Sequence, residues 1–281
     1  MIAPTRSRPT IDRSPGGRAG RAVAALVARD LTGGGVVRVP LLLDLLFGVV
    51  NLAVFLFISR IVTVSGGAGL THSATYFDFV AVGITFLLVV QAASTQLLAK
   101  VLREQRDGTL EMLAVQPVRT WELAVGLGAY PIVVALLRAV IYLALLSLLL
   151  GLHVGHASWW GVAVVLAVSS AAVLAIGIVL AAVALVFGHG NAIGRVVVVG
   201  LSFVSGTYFP ASALPAAVER LSAVLPTRIA LDGLRAALAG GAWAGAAATL
   251  AITSLVLLPL SVWLFGRALK VTTERGTMTH D

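Results

Sequence analysis

Three groups of residues in this chain have the types and spacing to do chemistry. Arg228, Asp232 and Arg235 stand at i, i+4 and i+7, which on a helix sets a carboxylate between two guanidinium groups on one face. Exposed pairs of this kind act weakly, so the first reading is structural neutralisation. Arg138 stands inside an apolar run, where an unpaired guanidinium costs about 2.5 to 3.5 kcal/mol on insertion scales. It must face protein, water or a lipid phosphate. Asp44 is the acid placed within another apolar run, nearer one edge, and Pro131 can kink the helix and change the depth of Arg138. Binding an anionic group is the sharper reading of Arg138. His153 and His156 are three apart but lack the further ligands that a metal site needs, so no metal is expected.

Composition defines the elements that must carry these residues. Of 281 residues, 59% are hydrophobic and 11% charged, against roughly 25% charged in a soluble domain. A mean hydropathy of +1.00 excludes an ordinary cytosolic protein. At about 20 residues per crossing, the apolar runs give six spans. They cover 39–59, 79–99, 124–150, 159–187, a short one from about 191 to 209, and 243–265. The fifth either carries Arg195 at its edge or is re-entrant. Trp159 and Trp160 sit where an interfacial aromatic belt would place them, and Arg60 and Asp78 face each other across the first connection as a candidate ion pair. Pro210, Pro215 and Pro226 punctuate 210–240, where Leu214, Val218, Leu221 and Leu225 recur at helical spacing, so this segment reads as an amphipathic hairpin and not as a crossing.

The fold expected is therefore an all-α membrane protein with six transmembrane helices. Residues 1–20 form a disordered basic arm, 21–37 an amphipathic interfacial helix with a Gly-rich turn, and 38–268 the six-span domain. Within that domain lie a polar loop, 100–122, and the hairpin, 210–240; residues 269–281 form a tail. The net charge of +8 does not point to nucleic acid, because the basic residues cluster by membrane side. Seven lie before residue 39, and with the 100–122 loop, Arg195 and the tail one side holds fifteen; the other holds Arg60, Arg220, Arg228 and Arg235. The positive-inside rule then places both termini in the cytoplasm. The chain has no cysteine, which removes disulfides and thiolate chemistry.

The 100–122 loop is long and densely charged. Asp107 or Thr109 can cap a short helix whose Leu110, Leu113 and Ala114 form an apolar stripe ended by Pro117. Such a ridge suits docking in a partner's groove; the plain alternative is a solvated loop with incidental helix character. The run Glu104, Gln105, Arg106, Asp107, Gly108, Thr109, Leu110, Glu111, Met112, Leu113, followed by Pro117, resembles the coupling-helix signature of ABC transporter permeases of the type-2 exporter class. Downstream, Ser205-Gly206-Thr207-Tyr208-Phe209-Pro210, Leu214-Pro215, Leu225-Pro226 and Asp232-Gly233-Leu234-Arg235 resemble that family's fifth-span and outer-hairpin pattern. The resemblance covers about residues 75–240.

What it implies is a membrane permease subunit pairing with a second copy and with two ATP-binding cassette subunits; the abundance of Ala, Gly, Val and Arg and the single-chain permease are compatible with a bacterium, which would place it in the inner (plasma) membrane. Glu104, Gly108, Thr109, Leu110, Glu111, Leu113 and Pro117 would then sit at the ATPase contact. Gly206, Phe209, Pro210, Leu214, Pro215, Pro226, Arg228, Asp232 and Arg235 would build the outer gate hairpin. The chain is not expected to be an enzyme, since neither Lys100 nor Lys270 lies in a GxxxxGK phosphate loop; ATP and Mg belong to the partner. The few polar groups in the spans suit a lipid, a lipid-linked glycan or an amphiphilic small molecule as cargo. The rivals are a proton-coupled secondary transporter, which should show intramembrane acids and often an inverted repeat, and a non-transport scaffold.

Overall fold

The computed structural model describes residues 38–61, 75–107, 119–149, 155–187 and 190–274, with Ala28 and Ser73. The basic arm, the interfacial helix, the 108–118 segment and His153 lie outside the described residues, as do the side chains of Asp44 and Arg60. Among the described residues all regular structure is helical. Helix α1 spans Arg38–Ile61. Helix α2 spans Tyr76–Arg106 and contains a π turn at Ala92–Gln96. It is followed by α3, Thr120–Leu149, α4, Trp159–Phe187, and α5, Gly190–Val204. A 3-10 turn, Ala211–Ala213, precedes two short helices, α6 at Ala216–Val224 and α7 at Pro226–Leu238. Helix α8 spans Ala244–Glu274.

Helices α2, α3, α4 and α8 are long and apolar enough to cross a membrane; α1 and α5 contribute shorter apolar stretches, Gly48–Ser59 and Ala192–Val204. Each apolar run of the sequence thus holds a helix, but the ends differ. Helix α2 continues to Arg106, so Lys100 to Arg106, expected in the loop, form its last turns. Helix α8 likewise takes in residues 269–274, expected in the tail. In α2 the added residues Lys100, Leu102, Arg103, Glu104, Gln105 and Arg106 are strong helix formers, so the helix carries on past the apolar layer; Val271, Thr272 and Thr273 of α8 are not, and propensity does not explain that extension.

The helix starts are chemically marked. Thr75 and Asp78 close a capping box at α2, with the Asp78 amide on Thr75 Oγ1 and the Thr75 amide on Asp78 Oδ2, both at 3.1 Å. The carboxylate of Glu122 accepts the Arg119 amide at 3.2 Å at the start of α3. Ser158 Oγ accepts the Gly161 amide at the start of α4, and Pro226 opens α7, where its missing N–H costs nothing.

Helix α4 is the centre of the bundle, packed against α8, α7, the π turn and the lower half of α2. Between lipid-soaked helices apolar burial gives little driving force, so close approach and interhelical hydrogen bonds matter more. The Ser254 hydroxyl donates across to the Val168 carbonyl at 3.4 Å, tying α8 to α4. A side-chain carbon at Gly177 on α4 would overlap the Ala93 carbonyl oxygen, so glycine is what lets α4 lie against the π turn. The outward faces of α3 and α8 are apolar and exposed, Val133, Leu137 and Val140 on one and Ile252, Leu255 and Val256 on the other. Faces of that size on a protein in water would aggregate; they call for lipid or a partner. Trp159 and Trp160, both exposed, ring the start of α4.

Candidate functional site: a buried arginine at the root of the hairpin

Helices α6 and α7 meet at Leu225 and make the hairpin that the prolines demand. Arg228 Nη1 donates to the Glu219 carbonyl at 3.2 Å and to Ser222 Oγ at 3.1 Å, which staples α7 to α6. One turn on, Asp232 receives Arg228 at 3.6 Å on one carboxylate oxygen and Arg235 at 3.9 Å on the other. The acid does stand between the two bases. The three residues are not equally exposed, however: the Asp232 side chain is 40% exposed and that of Arg235 only 2%.

Arg235 is the link between hairpin and bundle. Its Nη2 donates to the Phe79 carbonyl in the first turns of α2, at 3.1 Å, and to the Gly206 carbonyl, at 2.9 Å. Its guanidinium lies 3.5 Å above the Phe79 ring centroid, a cation–π contact in a dry setting. Burial lowers the guanidinium pKa to about 10, partly offset by Asp232, and it remains a cation at neutral pH. Gly206 presents its carbonyl from a left-handed turn, φ +77°. Beside it the buried hydroxyls of Ser205 and Thr227 hydrogen-bond to each other, joining the end of α5 to the start of α7. The Tyr76 hydroxyl donates to the Tyr208 carbonyl at 3.1 Å, and Phe55 of α1 stacks on Tyr208 at 6.2 Å. Four elements, α1, α2, the 205–209 turn and α7, therefore converge on this root.

Of the other expected hairpin residues, Phe209 packs against Phe203 at 5.9 Å, Pro226 is buried, Pro210 and Leu214 are half-buried, and Pro215 is exposed. What sequence reasoning missed is the burial of Arg235. Its signal was available: Gly233, Leu234, Ala236, Ala237 and Leu238 surround it with small or apolar residues on every side of the helix. Gly206→Ala would force a side chain into left-handed backbone, at a cost of about 1–2 kcal/mol. Thermal unfolding of the purified protein in detergent should register that loss, and an unchanged midpoint would mean the turn does not need the glycine.

At the other end of α2, Glu104 is half-buried and Arg103, Arg106 and Asp107 are exposed. Lys100 Nζ donates to the Leu127 carbonyl at 3.2 Å, holding α2 to α3 just before the polar loop. Gly108, Thr109, Leu110, Glu111, Leu113 and Pro117 lie outside the described residues. Arg138 sits on α3 and lines a cavity with Gln91 and Gln96 of α2. No group of three or more candidate metal ligands occurs among the described residues.

A helical bundle with four helices of spanning length and outward apolar faces defines a multi-pass integral membrane protein. A family model described as ABC-2 type transporter matches residues 26–239, that is 214 of the 281 residues, and the chain belongs to that family. Comparison with curated proteins gives no match. Membership makes the chain a permease of an ABC-type exporter, and such permeases generally work with ATP-binding cassette subunits, often as dimers.

Proposed function

We propose that two copies of this chain form the membrane path of an ATP-driven exporter, each engaging one ATPase subunit through the 100–122 region. The cargo on this reading is a lipid, a lipid-linked glycan or an amphiphilic small molecule. The complex sits in the inner membrane of a bacterium with both termini cytoplasmic, so the hairpin faces outward. Six crossings, with α1 and α5 as the shorter two, complete the path. ATP and Mg act in the partner, and this chain's contribution is mechanical.

The observation that supports this reading best is the continuity of α2. Its 31 residues make a rod of about 46 Å, with the Phe79 contact to Arg235 near one end and the polar loop directly after the other. A displacement of the loop by an ATPase is carried along one helix to the root of the hairpin. The π turn halfway along is its softest place, since a π turn departs from the α-helical bonding pattern.

A mild-detergent pull-down from native membranes tests the reading, with wild type beside Glu111→Lys. An ATPase that accompanies the wild type and is depleted at least about tenfold in the variant is the expected result, a tenfold change being about 1.4 kcal/mol at one contact. If no ATPase accompanies the wild type under conditions that hold known complexes together, the exporter reading fails and proton-coupled transport takes its place.

A further inference from the structure

One face of α8 changes character along its length. At about 100° per residue, Ile252, Val256, Leu260, Trp263, Arg267 and Lys270 fall within an arc of about 80°, and all six are exposed. The stripe is apolar up to Leu260, aromatic at Trp263 and basic beyond it. Two tryptophans set its depth. Trp243, whose carbonyl accepts the Ala247 amide at 3.0 Å as α8 begins, stands 20 positions before Trp263. That separation is about 30 Å along the axis, the thickness of the hydrocarbon layer. Tryptophans at its two boundaries are where an aromatic belt places them. Arg267, one turn past Trp263, then stands about 6 Å beyond the boundary, at the level of the lipid head groups.

The Arg267 guanidinium does not run outward into water but lies back over the Trp263 ring, 4.5 Å from the centroid. Side chains on a helix lean toward its N-terminus, which here is toward the hydrocarbon layer. The indole covers one face of the planar cation and leaves the N–H donors along its edges open, an arrangement suited to holding a phosphate bidentately. Among the described residues no carboxylate pairs with the side chains of Arg119, Arg267 or Lys270. Glu274 follows Lys270 at i+4, the spacing of a helical pair, so Arg267 is the cation on which a site here depends. The start of α3 joins the same end of the bundle. Thr120 packs on Gly266, where a side-chain carbon would meet Thr120 Cγ2 at 3.3 Å. Arg119 and Trp121, both exposed, flank Thr120 and so stand beside the position adjoining Arg267. The acid of that turn, Glu122, is buried and accepts the Arg119 amide.

We infer that Trp263 and Arg267 of α8, with Arg119 and Trp121 at the start of α3, form a binding site for an anionic phospholipid of the bilayer. The head sits on the guanidinium edges, the tryptophans lie at the level of the glycerol, and one acyl chain runs along Leu260, Val256 and Ile252. From Ile252 to Trp263 is about 16 Å, half the hydrocarbon layer and thus the depth of one leaflet. A protein covering this face would need acids to meet its basic end, whereas a single phospholipid matches the apolar and the basic parts together. Arg119 lies at the end of the polar loop, so the bound lipid ties that end to the membrane surface. The site does not depend on the exporter reading; only its assignment to the cytoplasmic leaflet rests on the orientation proposed there.

The purified full-length chain, stripped of lipid, is titrated with phosphatidylglycerol and with phosphatidylcholine, which share a phosphate and differ in net charge, and read by native mass spectrometry. Wild type should favour phosphatidylglycerol by about tenfold, the range expected of a charge-assisted contact. Arg267→Ala should abolish the preference, and Arg267→Lys, which keeps the charge without the planar fork, should keep part of it. Trp263→Leu and Arg119→Ala should each weaken it by about threefold. Arg220→Ala is the control: it removes the same charge from an exposed position on α6 and should leave the preference intact. Equal binding of both lipids by wild type, a preference untouched in Arg267→Ala, or an equal loss in Arg220→Ala overturns the site. If Arg267→Ala does not accumulate, Arg267→Lys and Trp263→Leu decide, and undiminished preference in both overturns it as well. In native membranes, a photo-crosslinking side chain in place of Leu260 should capture phospholipid; capture of a second copy of this chain makes the face a subunit interface and overturns the proposal. None of these readouts uses an ATPase, so a chain that shows the selectivity but brings no ATPase keeps the site and loses the exporter reading.

Discussion

Replacing Arg235 with Ala should detach the hairpin from α2 and stop transport while leaving ATP hydrolysis by the complex running. The substitution strips the donor from two backbone carbonyls, Phe79 and Gly206, and uncovers the Phe79 ring. The Phe79 carbonyl keeps the amide of its own helix, so what is lost is two hydrogen bonds from a charged donor and the ring contact; each such bond contributes about 1.5–3 kcal/mol and membrane settings fall at the low end, so a total of about 2–4 kcal/mol is expected. Arg235→Lys keeps the charge, but an ammonium cannot reach both carbonyls and lie flat on the ring, so it should recover less than half of the loss. Arg228→Ala gives the comparison. Its half-exposed ion pair with Asp232 contributes about 0–1 kcal/mol, and its two part-buried hydrogen bonds within the hairpin, to the Glu219 carbonyl and Ser222, add about 0.5–1 kcal/mol each without reaching α2. Unfolding midpoints in detergent, read beside transport in vesicles, check the ranking; Arg228→Ala proving the more damaging of the two would mean that the hairpin is held internally and not by its root.

The second large effect is expected at Gly177. A methyl group there meets the Ala93 carbonyl oxygen, backbone that cannot swing aside as a side chain can. Overpacking a tight contact costs about 1–3 kcal/mol, and a leucine more. Gly177→Leu should therefore fail to accumulate in the membrane. Gly177→Ala should assemble with lowered stability, read as a lower unfolding midpoint in detergent. Gly245→Ala is the matched control, since a side-chain carbon at that position meets nothing within 4 Å. Normal stability in Gly177→Ala would show that the π turn is maintained by its own residues and not by α4.

These two sites differ in how much of them the sequence discloses. The triad Arg228, Asp232 and Arg235 is visible as a spacing, and its ion pairs form as that spacing requires. The burial of Arg235 depends on α2 and the 205–209 turn arriving from distant parts of the chain, more than 150 residues away in the case of Phe79, where the separation is 156. Arg138 is visible as a charge in an apolar run. Its two glutamine companions are not, because five-residue spacing on an ordinary helix would point them to different sides. Nothing in Ala92-Ala93-Ser94-Thr95-Gln96 announces a π turn. The end of α2 differs from the reading by composition for a simpler reason: hydropathy marks where the apolar layer stops, and a helix of good formers such as Lys100 to Arg106 does not stop there.

By itself, then, the sequence determined that this is a helical membrane protein, where its apolar elements lie, that prolines break 210–240 into a hairpin, and that a charged loop follows α2. Those properties are local: solvent preference, helical periodicity and proline geometry act within a window of about 20 residues or fewer. The tertiary structure decided which polar groups meet. It buried Arg235 between two carbonyls and a ring, made α2 one rod from hairpin root to loop, and set Gln91, Gln96 and Arg138 around one cavity. Each of those depends on the distance between elements far apart in the chain, and that distance is fixed by contacts such as Gly177 against Ala93, which a reading along the chain does not contain.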